Sequence, residues 1–329
     1  MLEIFLSEDL NTNKNIWIYY VELVIGIISM IGCLFVIMAY ICYSSIRNRV
    51  FELIFYLMIS SFFNNLSYIM NYIEEENMII TNMSLCRTQA FIMIWSEISQ
   101  QTWALLIVHS VYDKVVNFDD AAESNRSTCM QRIRYIIFGF IYPLSLAIIG
   151  LVCNFLGPSG KWCWINTVTD DKFGYAYGFI IYIIIWSSIF AELIFTCLII
   201  RFLNKTYAGE RLVIVSRFMN KLITYPIIHI VCFIPATINR IISLIFGNIP
   251  VFQLLALIFL TLQGLAYAIT YGFNPQVRNA LYTTFCRVRR TNTTTSIHDY
   301  RTSNTDSFIS NDSSERNDRI EARFIDFSL

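Results

Sequence analysis

The residues of this chain able to do chemistry are few, and most stand where water should not be. Glu97, Gln101, Asn239 and Arg240 lie inside long hydrophobic runs. A polar or charged group in such a run is costly unless it faces protein or water, so these positions tend to be functional. Cys86 opens one run, and Cys163 sits within Lys161-Trp162-Cys163-Trp164-Ile165. Pro226 and Pro235 interrupt a single run, each removing a backbone donor and bending the helix that carries it. These residue types suit binding and movement better than bond-making. The histidines, His109, His229 and His298, are spread over two runs and the tail, so they assemble no zinc site by themselves. Residues 250–273 contain no lysine, which excludes a retinal Schiff base in the last run. No enzyme, metal centre or cofactor is expected.

The elements that position these residues are membrane helices. Of the 329 residues, 56% are hydrophobic and the mean hydropathy is +0.53, whereas soluble domains hold about 45–50% apolar residues. Seven apolar segments span about 16–43, 49–73, 87–112, 133–155, 174–202, 221–247 and 250–273. Each is long enough to cross a bilayer, which takes about 20 residues of helix. The expected fold is an all-α membrane protein, a seven-transmembrane helix bundle. It divides into an extracellular tail (1–15), the bundle (16–273), an amphipathic juxtamembrane helix (274–290) and a disordered cytoplasmic tail (291–329). Residues 1–15 lack the pattern of a cleaved signal peptide, so the first helix is expected to act as an uncleaved anchor. A transporter or channel would show repeated halves or ionisable residues along several helices. Neither is visible, and that class stays as the alternative.

Basic residues set the orientation. Arg47, Arg49, Lys114, Arg126, Arg132, Arg134, Arg201, Lys205, Arg211, Arg217 and Lys221 fall in alternate connections, followed by a run of arginines from Arg278 to Arg323. The other connections hold only Lys14, Arg87, Lys161 and Lys172. Positive charge stays in the cytoplasm, so the N-terminus is expected outside and the C-terminus inside. Cys86 and Cys163 then face an oxidising compartment, where a bridge would lay the second outer loop over the bundle mouth. Cys153 is a competing partner. Asn82-Met83-Ser84 becomes a glycosylation sequon in an outer loop. Glu74, Glu75 and Glu76, with Asp170 and Asp171, make an acidic rim that suits a cation or a basic peptide, or is merely solvated.

At the other end, Val277, Leu281 and Phe285 recur at helical spacing beside Cys286, Arg287, Arg289 and Arg290. That pattern points to a helix lying on membrane lipid and to acylation at Cys286. The tail offers Thr293, Thr294, Thr295, Ser296, Ser303 and Ser307 as phosphorylation sites for a kinase and an arrestin-like adaptor.

The Trp-Cys-Trp-Ile loop and a cysteine opening the third helix resemble the cyclic AMP receptor-like group of G-protein-coupled receptors. So do Tyr225-Pro226, Cys232-Phe233-Ile234-Pro235-Ala236-Thr237-Ile238-Asn239-Arg240-Ile241, Leu262-Gln263-Gly264 and Ala268-Ile269-Thr270-Tyr271-Gly272. The resemblance covers residues 17–290, all seven helices. It implies a plasma-membrane chemoreceptor that passes an extracellular small-molecule or peptide signal to a heterotrimeric G protein, with no nucleic acid involved. The ligand is then expected among Glu97, Gln101, Asn239, Arg240 and Trp164, with Pro226 and Pro235 as the activation hinge. Glu97 and Arg240 lie at depths that would let them pair. Otherwise Arg240 snorkels to headgroups and Glu97 is held neutral.

Overall fold

The computed structural model describes residues 2–70, 82–115, 125–159, 162–166, 172–206, 212–247, 249–272 and 277–278. Its helices are α1 (Leu2–Cys42), α2 (Arg49–Ile69), α3 (Met83–Val115), α5 (Lys172–Thr206), α6 (Leu212–Phe246) and α7 (Pro250–Gly272). Between α3 and α5, α4 is built from Asn125–Ile136, a π-helical turn at Ile137–Ile141, and Tyr142–Val152. Seven helices long and apolar enough to cross a membrane lie among these residues, as expected. α1 begins inside the segment read as a tail, but its apolar span starts at Tyr20. α6 begins at Leu212, inside the segment read as a loop. Exposed Ile31, Phe138, Phe179, Phe190 and Ile245 are the groups that lipid must cover.

Local chemistry sets the helix ends. Asn48 Oδ1 accepts from Phe51 N at 2.8 Å and caps α2. α4 stops at Asn154, whose φ of 58° lies in the left-handed region that asparagine tolerates. Phe155 N then bonds Gly150 O at 2.9 Å and Asn154 N bonds Leu151 O at 3.1 Å, the paired closure that turns a chain out of a helix. The chain emerges directly into a hairpin, which the sequence did not signal as strands: β1 (Leu156–Ser159) and β2 (Trp162–Ile165), antiparallel. Gly247, at φ 81°, ends α6 in the same left-handed way.

α3 is the central strut. It touches α2, α4, α5, α6 and both strands, and 67% of its span is buried against 28% for α1, α4 and α5. Its approach to α4 is close: a Cβ at Gly139 would overlap the Trp103 indole. The π turn brings carbonyls within reach of α3, so Ser99 Oγ donates to Gly139 O at 2.6 Å and Trp95 Nε1 to Phe140 O at 3.4 Å.

The core has two apolar layers. One, at the hairpin end, includes Met93, Ile94, Ile98, Ile185 and Phe233; the other includes Leu57, Trp103, Val108, Ile199 and Tyr267. A belt of buried polar side chains separates them, among them Ser61, Asn64, Ser99, Gln100, Glu192 and Gln263. Most of these face one another across helix boundaries, where hydrocarbon offers no other partner.

Candidate functional site

The hairpin forms a roof. Cys163 is bonded to Cys86 at the start of α3, with the two Cα atoms 5.2 Å apart. Cys153 remains a thiol, exposed at the end of α4, so the competing pairing is not formed. Side chains alternate along a strand. With Cys163 turned to α3, Trp162 and Trp164 both line a crevice beneath the roof.

The crevice is about 30 Å³, room for a water molecule or two. Its walls come from α3 (Met93, Glu97), α5 (Tyr182, Ile185), α6 (Phe233, Ala236, Asn239, Arg240) and α7 (Ala256, Leu260), with Tyr68 of α2. Four of the five residues read from the sequence as a ligand set meet here: Glu97, Asn239, Arg240 and Trp164. Gln101, one turn further along α3, does not line it, and both its buried amide atoms lack partners.

The expected pair between Glu97 and Arg240 is not made. Arg240 Nη1 donates to Ser159 Oγ at 3.2 Å, and its Cζ lies 4.8 Å from the centre of the Trp164 ring. The guanidinium is therefore held by the roof, through a hydrogen bond and a cation–π contact. The reason is direction: Arg240 points toward the hairpin, whereas Glu97 sits about 16 Å down α3 from Cys86 at 1.5 Å rise per residue. Glu97 is 6% exposed and makes no hydrogen bond or ion pair among the described residues. Asn239 Oδ1 and Trp164 Nε1 are also buried without partners.

Directly below the crevice lies a second polar cluster. His229 Nδ1 and Glu192 Oε2 are 2.6 Å apart, and both side chains are wholly buried. The other ring nitrogen, Nε2, shares a hydrogen bond with the Tyr267 hydroxyl, which also accepts from Gln263 Nε2 at 3.1 Å. α5, α6 and α7 are thereby tied at one level. Both Glu192 and His229 are polar groups in apolar runs, but nothing in the sequence shows that they meet. The i, i+4 spacing of Gln263 and Tyr267 was the one further signal available. His229 falls between Pro226, which is buried, and Pro235, so the cluster grips the segment of α6 that both prolines delimit.

Elsewhere, α7 approaches α1 and α2 at Gly264, where a Cβ would sit 2.6 Å from Asn65 Nδ2 and 2.7 Å from Ser29 Oγ. At the end opposite the roof, Arg132 pairs with Glu52 at 2.7 Å and Arg49 Nη1 donates to Gln131 Oε1 at 2.7 Å. Asn82 is exposed at the start of α3, where its Oδ1 accepts from Ser84 N and Leu85 N. Glu74, Glu75, Glu76, Asp170 and Asp171 lie outside the described residues, as do Cys286, Thr293, Thr294, Thr295, Ser296, Ser303 and Ser307. Of the stripe read as a juxtamembrane helix, Val277 is described, and it is buried.

The family model for the slime mold cyclic AMP receptor matches residues 10–294. Three proteins of Dictyostelium discoideum are similar to this chain. Cyclic AMP receptor 2 is 25% identical over 75% of this chain and 64% of its own length. Cyclic AMP receptor-like protein A is 25% identical over 90% and 77%. Cyclic AMP receptor 1 is 24% identical over 75% and 60%. The chain thus spans less than two thirds of the length of receptors 1 and 2.

Proposed function

This chain belongs to the slime mold cyclic AMP receptor family, a family of seven-span cell-surface receptors, and from that premise we propose that it transduces an extracellular chemical signal to a heterotrimeric G protein. The hairpin end faces outward, a reading that the distribution of lysine and arginine supports, and the roofed crevice receives the ligand. The observation that carries this reading is the crevice wall. Asn239 and Trp164 present buried polar atoms with no partner, and Glu97 lines the same crevice with no hydrogen bond among the described residues. Convergent polar groups of this kind in one pocket favour a ligand site.

Mechanism follows from the layering. A ligand that engages Arg240 or Asn239 pulls on the outer part of α6. The cluster at His229 holds the same helix one turn below the crevice residue Phe233. Ligand binding favours a pre-existing state in which that cluster opens and the inner part of α6, from Pro226 to Leu212, swings outward. The inner ends of α5 and α6 then meet the G protein. Acylation at Cys286, glycosylation at Asn82 and tail phosphorylation read by a kinase and an arrestin-like adaptor belong to the same proposal.

The test is G-protein dissociation in cells expressing the chain, read with a library of extracellular small molecules and peptides that includes cyclic AMP. Ligand-dependent dissociation that is lost in Arg240→Ala at equal surface expression is the expected result. Passage of ions or solutes with no dissociation by any compound favours the transporter reading and overturns this one.

A further inference from the structure

The crevice carries a guanidinium and a carboxyl group that do not pair with each other. Among the described residues, the groups that hold Arg240 are neutral, the Ser159 hydroxyl and the Trp164 ring. Glu97 is 94% buried with no partner among the described residues. Two neutral polar groups line the crevice with them. Trp164 Nε1, a donor lacking an acceptor, stands beside the guanidinium, and Asn239 Oδ1, an acceptor lacking a donor, lines the same crevice as the carboxylate. The site is therefore polarised, with a cation toward the roof and, toward the floor, a carboxyl group that an arriving ammonium would hold in its charged form.

We infer that the crevice takes a small dipolar ligand, an amine-bearing carboxylate of the amino-acid class, with its carboxylate at Arg240 and Trp164 Nε1 and its ammonium at Glu97 and Asn239 Oδ1. This rests on the reading of the crevice as the ligand site. A simple anion answers only the upper half and leaves Glu97 buried and alone. A simple cation answers only the lower half and faces the guanidinium. An occupant carrying both charges in the reverse order satisfies all four groups, and charge complementarity of this kind sets specificity. The cavity of about 30 Å³, far below the roughly 300 Å³ typical of drug-sized ligands, also favours an occupant of few atoms. Entry parts Arg240 from Trp164, because that contact closes the site under the roof.

Thermal melting of the purified full-length protein in detergent, followed by tryptophan fluorescence, reads binding without any G protein. The probes are glycine, 4-aminobutyrate, 5-aminopentanoate and 6-aminohexanoate, with pentanoate, pentylamine and cyclic AMP as comparators. At least one amine-carboxylate raises the melting temperature while the comparators leave it unchanged. Glu97→Gln weakens that probe by about ten-fold or more, and Trp164→Phe, which keeps the ring but removes the donor, weakens it less. Stabilisation by pentanoate or cyclic AMP to the same degree, an amine-carboxylate shift untouched in both variants, or no shift from any amine-carboxylate overturns the inference. Binding of an amine-carboxylate without G-protein dissociation leaves the inference standing and removes the receptor reading instead.

Discussion

Two polar clusters share α6 and differ in how well they are satisfied. The lower one, His229 with Glu192, Tyr267 and Gln263, is wholly buried and closed on itself, with only Glu192 Oε1 left over. The upper one is open: Glu97, Asn239 and Trp164 are buried and Arg240 partly so, each lacking a partner among the described residues or held by neutral atoms. A closed cluster stabilises one arrangement of helices. An open one destabilises the arrangement it is in and gains when something enters. The two lie one above the other on the same helix, so the gain above is available to oppose the hold below.

That contrast can be broken from either side. The largest effect is expected at the lower cluster. His229→Ala or Glu192→Ala leaves its partner buried and alone and should cost about 3–5 kcal/mol, read as a steep fall in melting temperature with raised basal G-protein dissociation. The double variant Glu192→Leu with His229→Phe should be more stable than either single one, because neither polar group is left buried without the other. Breaking the roof comes next. Cys86→Ser, which opens a link between residues 77 apart in sequence, should lose about 2–4 kcal/mol together with ligand response. Tyr267→Phe removes one hydrogen bond between α7 and α6 and should cost about 1–2 kcal/mol, measurable by the same melting experiment. Smallest is Glu97→Gln. If the upper cluster is open as described, this change leaves stability equal or slightly higher while ligand response is lost. A destabilisation as large as that of Glu192→Ala would show that the upper cluster is closed too. Pro235→Ala sharpens the link between the clusters: it should separate binding, preserved, from G-protein dissociation, lost, at unchanged surface expression.

Much of this architecture was legible before any fold was known. Hydrophobic length announced the seven spans, since no other structure satisfies a backbone in lipid so locally. Cys163, flanked by tryptophans in the connection between the fourth and fifth spans, pointed to the roof. Four of five ligand-set residues converge: Glu97, Asn239 and Arg240 are polar groups in runs that could not leave the bundle, and Trp164 is brought over them by the disulfide-held hairpin. Gln101 does not join them: being one turn beyond Glu97 on α3 places it below the crevice rather than in it. The Glu97–Arg240 pair was inferred from depth alone, and depth says nothing about where a side chain turns. The hairpin was illegible because four-residue strands in a Gly-Pro and Trp-rich loop carry no usable periodicity.

By itself, then, the sequence determined that this protein crosses a membrane seven times, which residues would be buried and polar, and which two cysteines could meet. These follow from composition along the chain and from the cost of polar groups in hydrocarbon. Only the tertiary structure decided which polar groups meet: Arg240 with Ser159, 81 positions earlier, and His229 with Glu192 and Tyr267. A helix turns about 100° per residue, so partners across helices depend on the rotation and vertical register of each span. Packing fixes those, and in this molecule it closed one cluster and left the other open.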